Sequence, residues 1–308
     1  AMLSRAAENL FWLGRYMERA EATARMISMG QRMAMLPGTR GRSEWTSLMQ
    51  ATGAPLPDGR PVTEADIIAN LILDQVNPSS IQACLAKARE NGRAVRTALT
   101  QEMWESLNDD WRYLESMDTP AARRQLVHIL EWVRSRAAIF RGAVETAMLR
   151  AEGYYFLRLG GSIERADMTL RLLNVKYFLL LPETEVVGGG RDHHQWMSML
   201  HAVSGLRAYH HHYYGDYAPW NIADFLLLNQ TFPRSVAYSY SQINACLEKL
   251  AENYGGAHDC QHTARGELEH LSGLKISAIF EDGLHEFIDG QLATTARINM
   301  EVSEAYHF

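Results

Sequence analysis

Two glutamate–arginine pairs stand in matching contexts. Glu18-Arg19-Ala20 follows Leu13-Gly14, and Glu164-Arg165-Ala166 follows Leu159-Gly160 in the same register. Thr23 and Arg25 recur as Thr169 and Arg171, and Glu21 is matched by Asp167. A carboxylate in apolar surroundings can have its pKa raised toward neutrality and serve as a general acid or base. The same carboxylate held by a guanidinium is instead a polar staple that fixes how helices pack. The sequence leaves both readings open, with Glu18 and Glu164 as the acid–base candidates in the first.

The surroundings sharpen the question. Ala6, Leu10, Leu13, Met17, Ala20, Ala24 and Ile27 recur at helical spacing, as do Phe156, Leu159, Ile163, Ala166, Leu170 and Leu173. Phe11, Trp12, Tyr16 and Met26 flank the first stripe, and Leu157, Met168 and Leu172 the second. Both helices are therefore expected to be buried on nearly every side, where an unpaired charge is costly. Neighbours on a helix point about 100° apart, so Glu18 does not pair with Arg19, nor Glu164 with Arg165. Arg15 lies one turn before Glu18, but Gly161 holds that place before Glu164. The expectation is a cross-helix exchange, Glu18 with Arg165 and Glu164 with Arg19. Gly14 and Gly160 would allow the backbones to approach closely.

Other chemistry is weaker. His193-His194, His210-His211-His212, His258, His262, His270 and His285 include the Glu-x-x-His unit Glu267 to His270, and no convincing second one accompanies it with the further carboxylates that a helical di-metal site needs. No metal is expected, and consecutive histidines 210–212 read as surface. Gly188-Gly189-Gly190-Arg191 lacks the spacing and lysine of a P-loop and reads as a connector. Gly-x-Ser-x-Gly and His-Glu-x-x-His are absent, and no cofactor is called for. Arg234, in Phe232-Pro233-Arg234-Ser235, sits at a helix start and could point into a groove or into solvent.

The elements that must carry these residues read as helices throughout. One runs over 2–36, stopped by Pro37-Gly38. Residues 37–62, rich in Gly and Pro, read as a long loop with at most one turn around Trp45–Ala51. Thr63 caps a helix, and Asn77-Pro78-Ser79-Ser80 opens another that runs to about Glu105 with Pro78 in its first turn. Helices follow over 119–150 and 152–181; Pro182 and Gly188–Gly190 make a break. Helices near 193–213, 219–229, 233–253 and 264–306 complete the chain, the last interrupted at Gly273, Gly283 and Gly290. No alternating β-branched run marks a strand. A fainter second repeat relates Asn77-Pro78-Ser79-Ser80-Ile81 to Phe232-Pro233-Arg234-Ser235-Val236. The expected fold is all-α, a helical bundle of two related halves, residues 1–150 and 151–308, packed about a pseudo-twofold axis as one continuous fold.

Thirty Lys and Arg against 36 Asp and Glu give a net charge of −6, which provides no global field for nucleic acid or an anionic membrane. No apolar run of about 18 residues spans a bilayer, and no secretion signal is evident at the N-terminus, so a cytoplasmic location is expected. Cys84, Cys246 and Cys260 are far apart and read as buried reduced thiols.

Leu3-Ser4-Arg5-Ala6 with Glu8-Asn9-Leu10-Phe11-Trp12-Leu13-Gly14-Arg15-Tyr16-Met17-Glu18-Arg19-Ala20-Glu21 resembles the opening signature of Alpha-E proteins, bacterial helical proteins with a Glu-Arg motif. Asn77-Pro78-Ser79-Ser80-Ile81, Ala88-Arg89-Glu90-Asn91, Trp104-Glu105 with Asn108, Gly160-Gly161-Ser162-Ile163-Glu164-Arg165-Ala166-Asp167-Met168-Thr169 and Phe232-Pro233-Arg234-Ser235-Val236 are similar to later blocks. Such proteins are typically encoded beside, or fused to, circularly permuted ATP-grasp proteins and transglutaminase-like peptidases. The resemblance implies an accessory or substrate-presenting subunit for an ATP-grasp-type carboxylate–amine ligase, with a transglutaminase-like protein as further partner and a peptide as substrate. Arg15, Glu18, Arg19, Glu164, Arg165 and Arg234 are the motif and binding candidates. A helical enzyme acting on amides or amines and a homo-oligomeric scaffold are the rival readings.

Overall fold

A computed structural model describes residues 2–37, 42–109, 111–179 and 189–308, and among these no strand occurs. The helices are α1 (Ser4–Ala34), α2 (Arg42–Thr52), α3 (Glu64–Ile67, continued by a π-helical turn over Ile68–Leu73), α4 (Ile81–Ala94), α5 (Gln101–Asn108), α6 (Thr119–Arg124), α7 (Leu126–Ala147) and α8 (Glu152–Phe178). After the undescribed segment come α9 (Gly190–Ala202), α10 (Leu206–Tyr213), α11 (Pro219–Leu228), α12 (Val236–Tyr254), α13 (Asp259–Gly273), α14 (Ile276–Asp282) and α15 (Leu284–Tyr306). No helix among the described residues is long and apolar enough to cross a membrane.

The two motif helices, α1 and α8, form the central pair; α4 packs on α1, and α12 and α15 pack on α8. Apolar side chains around most of each circumference are buried, including Leu10, Phe11, Leu13 and Met26 on α1 and Phe156, Leu159, Ile163 and Leu172 on α8. The backbones touch where glycine is present in both. A Cβ at Gly14 would stand 2.1 Å from the Leu157 carbonyl oxygen, and one at Gly160 would stand 2.0 Å from that of Phe11. Glycine here permits a crossing that any side chain would wedge apart.

Capping explains several starts. The Thr63 hydroxyl accepts from the Asp66 amide, and the Asp66 carboxylate accepts from the Thr63 amide. Ser80 caps α4 and Ser235 caps α12, each accepting from the amide three residues on.

Several expected boundaries need correction. The long loop of 37–62 contains an eleven-residue helix, α2; Trp45, Leu48 and Met49 are buried, and a Cβ at Gly30 would meet the Trp45 ring at 2.5 Å. Tertiary packing thus holds a helix between Gly- and Pro-rich flanks. Pro78 precedes α4 rather than lying in it, and the helix expected to reach Glu105 stops at Ala94, since Thr100 caps a new one. Ser204, at φ 54°, breaks 193–213 into α9 and α10. Gly283, at φ +105°, separates α14 from α15, whereas Gly290 lies within α15 without interrupting it. Gly38, Gly41, Pro182 and Gly188 lie outside the described residues.

Candidate functional site

Glu18 and Glu164 are buried at the α1–α8 crossing, and each is reached from the opposite helix. Arg165 donates from Nε and Nη2 to the two Glu18 oxygens at 2.8 and 3.0 Å. Arg19 donates from Nε and Nη2 to the Glu164 oxygens at 2.7 and 3.2 Å. The expected exchange is present in both directions. Arg15, however, does not serve Glu18 one turn on. Its Nε donates to Glu164 at 2.7 Å and its Nη1 to Asn299 Oδ1 at 2.6 Å. The place left by Gly161 is filled across the helix pair, with the Arg15 guanidinium 4.9 Å over the Trp12 ring.

The network extends beyond the two pairs. Arg234 points inward, bridging Glu18 at 3.2 Å and Glu21 at 2.8 Å. Glu21 also binds Arg25 on its own helix and Arg141 from α7. Asp167 takes the Nε of Arg171 at 2.7 Å, while Arg171 Nη1 reaches the Ala51 carbonyl at 3.4 Å. Among the described residues, seven arginines (15, 19, 25, 141, 165, 171 and 234) thus serve four carboxylates (18, 21, 164 and 167), an excess of three positive charges.

Protonation follows the geometry. Burial alone would raise the Glu18 carboxyl, but Arg165 and Arg234 outweigh it and hold it far below its ordinary 4.5. Glu164 is lowered in the same way, burial being overcome by Arg15 and Arg19. Glu21 is also lowered, against burial and the nearby Glu18, by Arg234 and Arg141. Asp167 goes the other way: burial raises it, the nearby Glu164 adds to the rise, and Arg171, with a smaller contribution from Arg15, does not compensate. Burial brings Arg234 down to about 10, with Arg165 and Arg25 adding to the crowding and Glu18 and Glu21 opposing it. Glu18 and Glu164 are consequently fixed anions, poor proton donors near neutrality.

Two cavities flank the crossing. One, of about 240 Å³, is lined by Glu18, Arg141, Arg158, Arg165 and apolar residues of α7 that include Phe140 and Val144. The other, of about 280 Å³, is lined by Arg15, Arg19, Arg171, Glu164, Asp167, Ser79, Thr23 and Asn299 among others. Arg15, Glu18, Arg19, Glu164, Arg165 and Arg234 therefore belong to one assembly. Glu21, Asp167, Arg25 and Arg171 were visible only as repeated positions, and the repeat was the signal that could have placed them in it. Arg141 and Asn299 carried no sequence signal.

The remaining candidates lie elsewhere. His210, His211 and His212 are exposed. His285 stacks on Tyr177 with centroids 3.5 Å apart and approaches Asn174 Oδ1 at 2.7 Å. Glu267 accepts from Gln291 at 2.6 Å, and among the described residues no three His, Cys, Asp or Glu side chains converge as a metal would need. The three cysteines are buried and free.

Comparison with known proteins agrees with this architecture. The chain is similar to two uncharacterized proteins, one from Mycobacterium bovis and one from Mycobacterium tuberculosis, each 23% identical over 281 residues covering 82% of this chain. It spans about 30% of the length of these relatives. No solved structure matches it. The family model described as a predicted alpha-helical domain with a conserved ER motif matches residues 2–307, so the chain belongs to the Alpha-E family.

Proposed function

We propose that this chain is a non-catalytic helical subunit that works beside an ATP-grasp-type carboxylate–amine ligase and presents an amine or peptide substrate to it. The observation that carries the reading is the locking of Glu18 and Glu164. The two carboxylates that a helical acid–base enzyme would use are each bound by guanidinium groups and pushed below their ordinary range. A role for the crossing therefore lies in shape and binding rather than proton transfer.

Two further points support it. ATP-grasp chemistry needs a sheet to hold its nucleotide, and the described residues form only helices and their connections. The mycobacterial relatives are about three times as long as the stretch they share with this chain, an arrangement suited to a helical module operating next to other domains. Co-purification with an ATP-grasp-type ligase, with faster ADP release when this chain is added, is the expected result. A ligase that neither retains the chain nor changes its turnover on addition would overturn the reading.

A further inference from the structure

The two turns that precede α4 and α12 are built alike. Asp74 Oδ1 accepts from the amides of Val76 and Asn77 at 2.8 and 3.3 Å, and Asn229 Oδ1 accepts from those of Thr231 and Phe232 at 2.9 and 2.8 Å. Ser80 and Ser235 each donate to the carbonyl of that Asp or Asn and each accept from the amide three residues on, at 3.0 Å in both. This correspondence places Ser79 at the position of Arg234.

What differs is the side chain. Arg234 fills its place with a guanidinium that bridges Glu18 and Glu21. On the other side the matching carboxylates are Glu164 and Asp167, and Ser79 leaves the 280 Å³ cavity that both of them line. Glu21 is bound by three arginines, its counterpart Asp167 by Arg171 alone. Asp167 Oδ2 takes that bond, and among the described residues Oδ1 takes none. Arg19 uses Nε and Nη2 on Glu164, leaving Nη1 as a donor beside the same space. Arg171 and Arg15 complete a cationic rim on that cavity.

We propose that the cavity beside Ser79 binds a small zwitterion, an α-amino acid or the amino-terminal residue of a peptide, whose ammonium takes the place Arg234 occupies on the other side. The ammonium is received by Asp167 and Glu164, and the carboxylate or first carbonyl by the guanidinium groups of Arg19 and Arg171. The volume suits this class: it is several times the roughly 30 Å³ share of one water and lies at the small end of ligand pockets. The raised pKa of Asp167 is consistent with a carboxylate short of cationic partners. The inference deepens the accessory-subunit reading by giving the chain a cargo, but it is tested on the isolated chain. Failure to bind and failure to dock on a ligase are therefore distinguishable.

The test is calorimetric titration of the whole chain with each free L-amino acid and with Ala-Ala. N-acetylalanine, acetate and methylammonium serve as probes that lack one charge or the other. At least one zwitterion is expected to bind, with the single-charge probes at least tenfold weaker. Tighter binding of Ala-Ala than of alanine assigns the peptide terminus; the reverse assigns the free amino acid. Ser79→Arg, which supplies the missing guanidinium, should abolish binding while raising the melting temperature, and Asp167→Asn should weaken binding tenfold or more. Should Ser79→Arg not fold, Ser79→Leu fills the same space without charge and carries the test. No binding by any zwitterion at 10 mM (about 2.7 kcal/mol of affinity), equal binding of acetate, or undiminished binding to the folded Ser79 variants would overturn the proposal.

Discussion

Gly14 lies against the backbone of Leu157 so closely that a Cβ on it would stand 2.1 Å from the Leu157 carbonyl oxygen. The obstacle is main chain, which cannot rotate aside as a flexible side chain can. Gly14→Ala gains about 1 kcal/mol of helix propensity, but the crossing must open to admit the methyl group, loosening the ion pairs on both sides. The expected net effect is a loss of about 3 kcal/mol or more, in the range reserved for core overpacking and strain. Gly160→Ala should behave alike, and Gly142→Ala, where a Cβ meets nothing, serves as the control. Urea midpoints of the three variants check this.

Removing the charge of Glu164 leaves Arg15 and Arg19 without their shared partner inside the protein. Breaking a buried pair from one side costs about 3–5 kcal/mol, so Glu164→Gln should be strongly destabilised despite its near-identical shape. Arg19→Met, which removes one of the two guanidinium groups while keeping apolar bulk, should cost less than Glu164→Gln because Arg15 still neutralises the carboxylate. Chemical denaturation of both variants gives the order. A fully stable Glu164→Gln protein would mean that the pairing does not hold the helices together.

How much of this was legible in the sequence depended on whether a residue's partner was near in the chain. Helix identity and the α1–α8 exchange could be read because apolar spacing and the missing arginine at Gly161 are local features. The same argument misassigned Arg15, since one-turn spacing places it beside Glu18 but the crossing carries its guanidinium to Glu164. Arg141 could not be foreseen because its relation to Glu21 exists only after α7 packs on α1. Helix α2 was hidden for a related reason: Gly and Pro at its flanks dominate the local signal, whereas its stability comes from Trp45 and Leu48 against Gly30. Repetition carried more information than composition, and Ser79 opposite Arg234 is a difference that only the folded turns make meaningful.

Acid should unfold the protein through the same cluster. Glu18, Glu21 and Glu164 have folded pKa values below the ordinary 4.5. Their contribution to stability is therefore complete above about pH 4.5 and is lost as pH falls through the depressed values. Asp167 is raised, so its own contribution has the opposite sign and improves as pH falls toward its ordinary 3.8. The three lowered groups outweigh the one raised, and the urea midpoint should drop steeply below pH 4.5. Asp167→Asn removes the opposing group, so its midpoint should fall more steeply with acid than that of the parent. A midpoint independent of pH from 6 to 3 would contradict the assignment.

The cysteines offer a readout of global opening that leaves the crossing untouched. Burial pushes the thiols of Cys84, Cys246 and Cys260 up to about 12, and since the thiolate is the reactive species, none should react with a disulfide reagent at pH 8 in the native protein. Cys84 packs beneath α1 on α4, where a nearby Arg19 favours the thiolate only enough to offset burial in part. Reaction then requires unfolding, and its rate at low reagent should track stability. Gly14→Ala and Glu164→Gln should therefore speed the labelling of all three thiols together, whereas a local opening of α4 alone would expose Cys84 ahead of Cys246 and Cys260. Mass spectrometry of the labelled sites separates the two outcomes, and simultaneous labelling is expected because α1 and α8 tie both ends of the chain into one core.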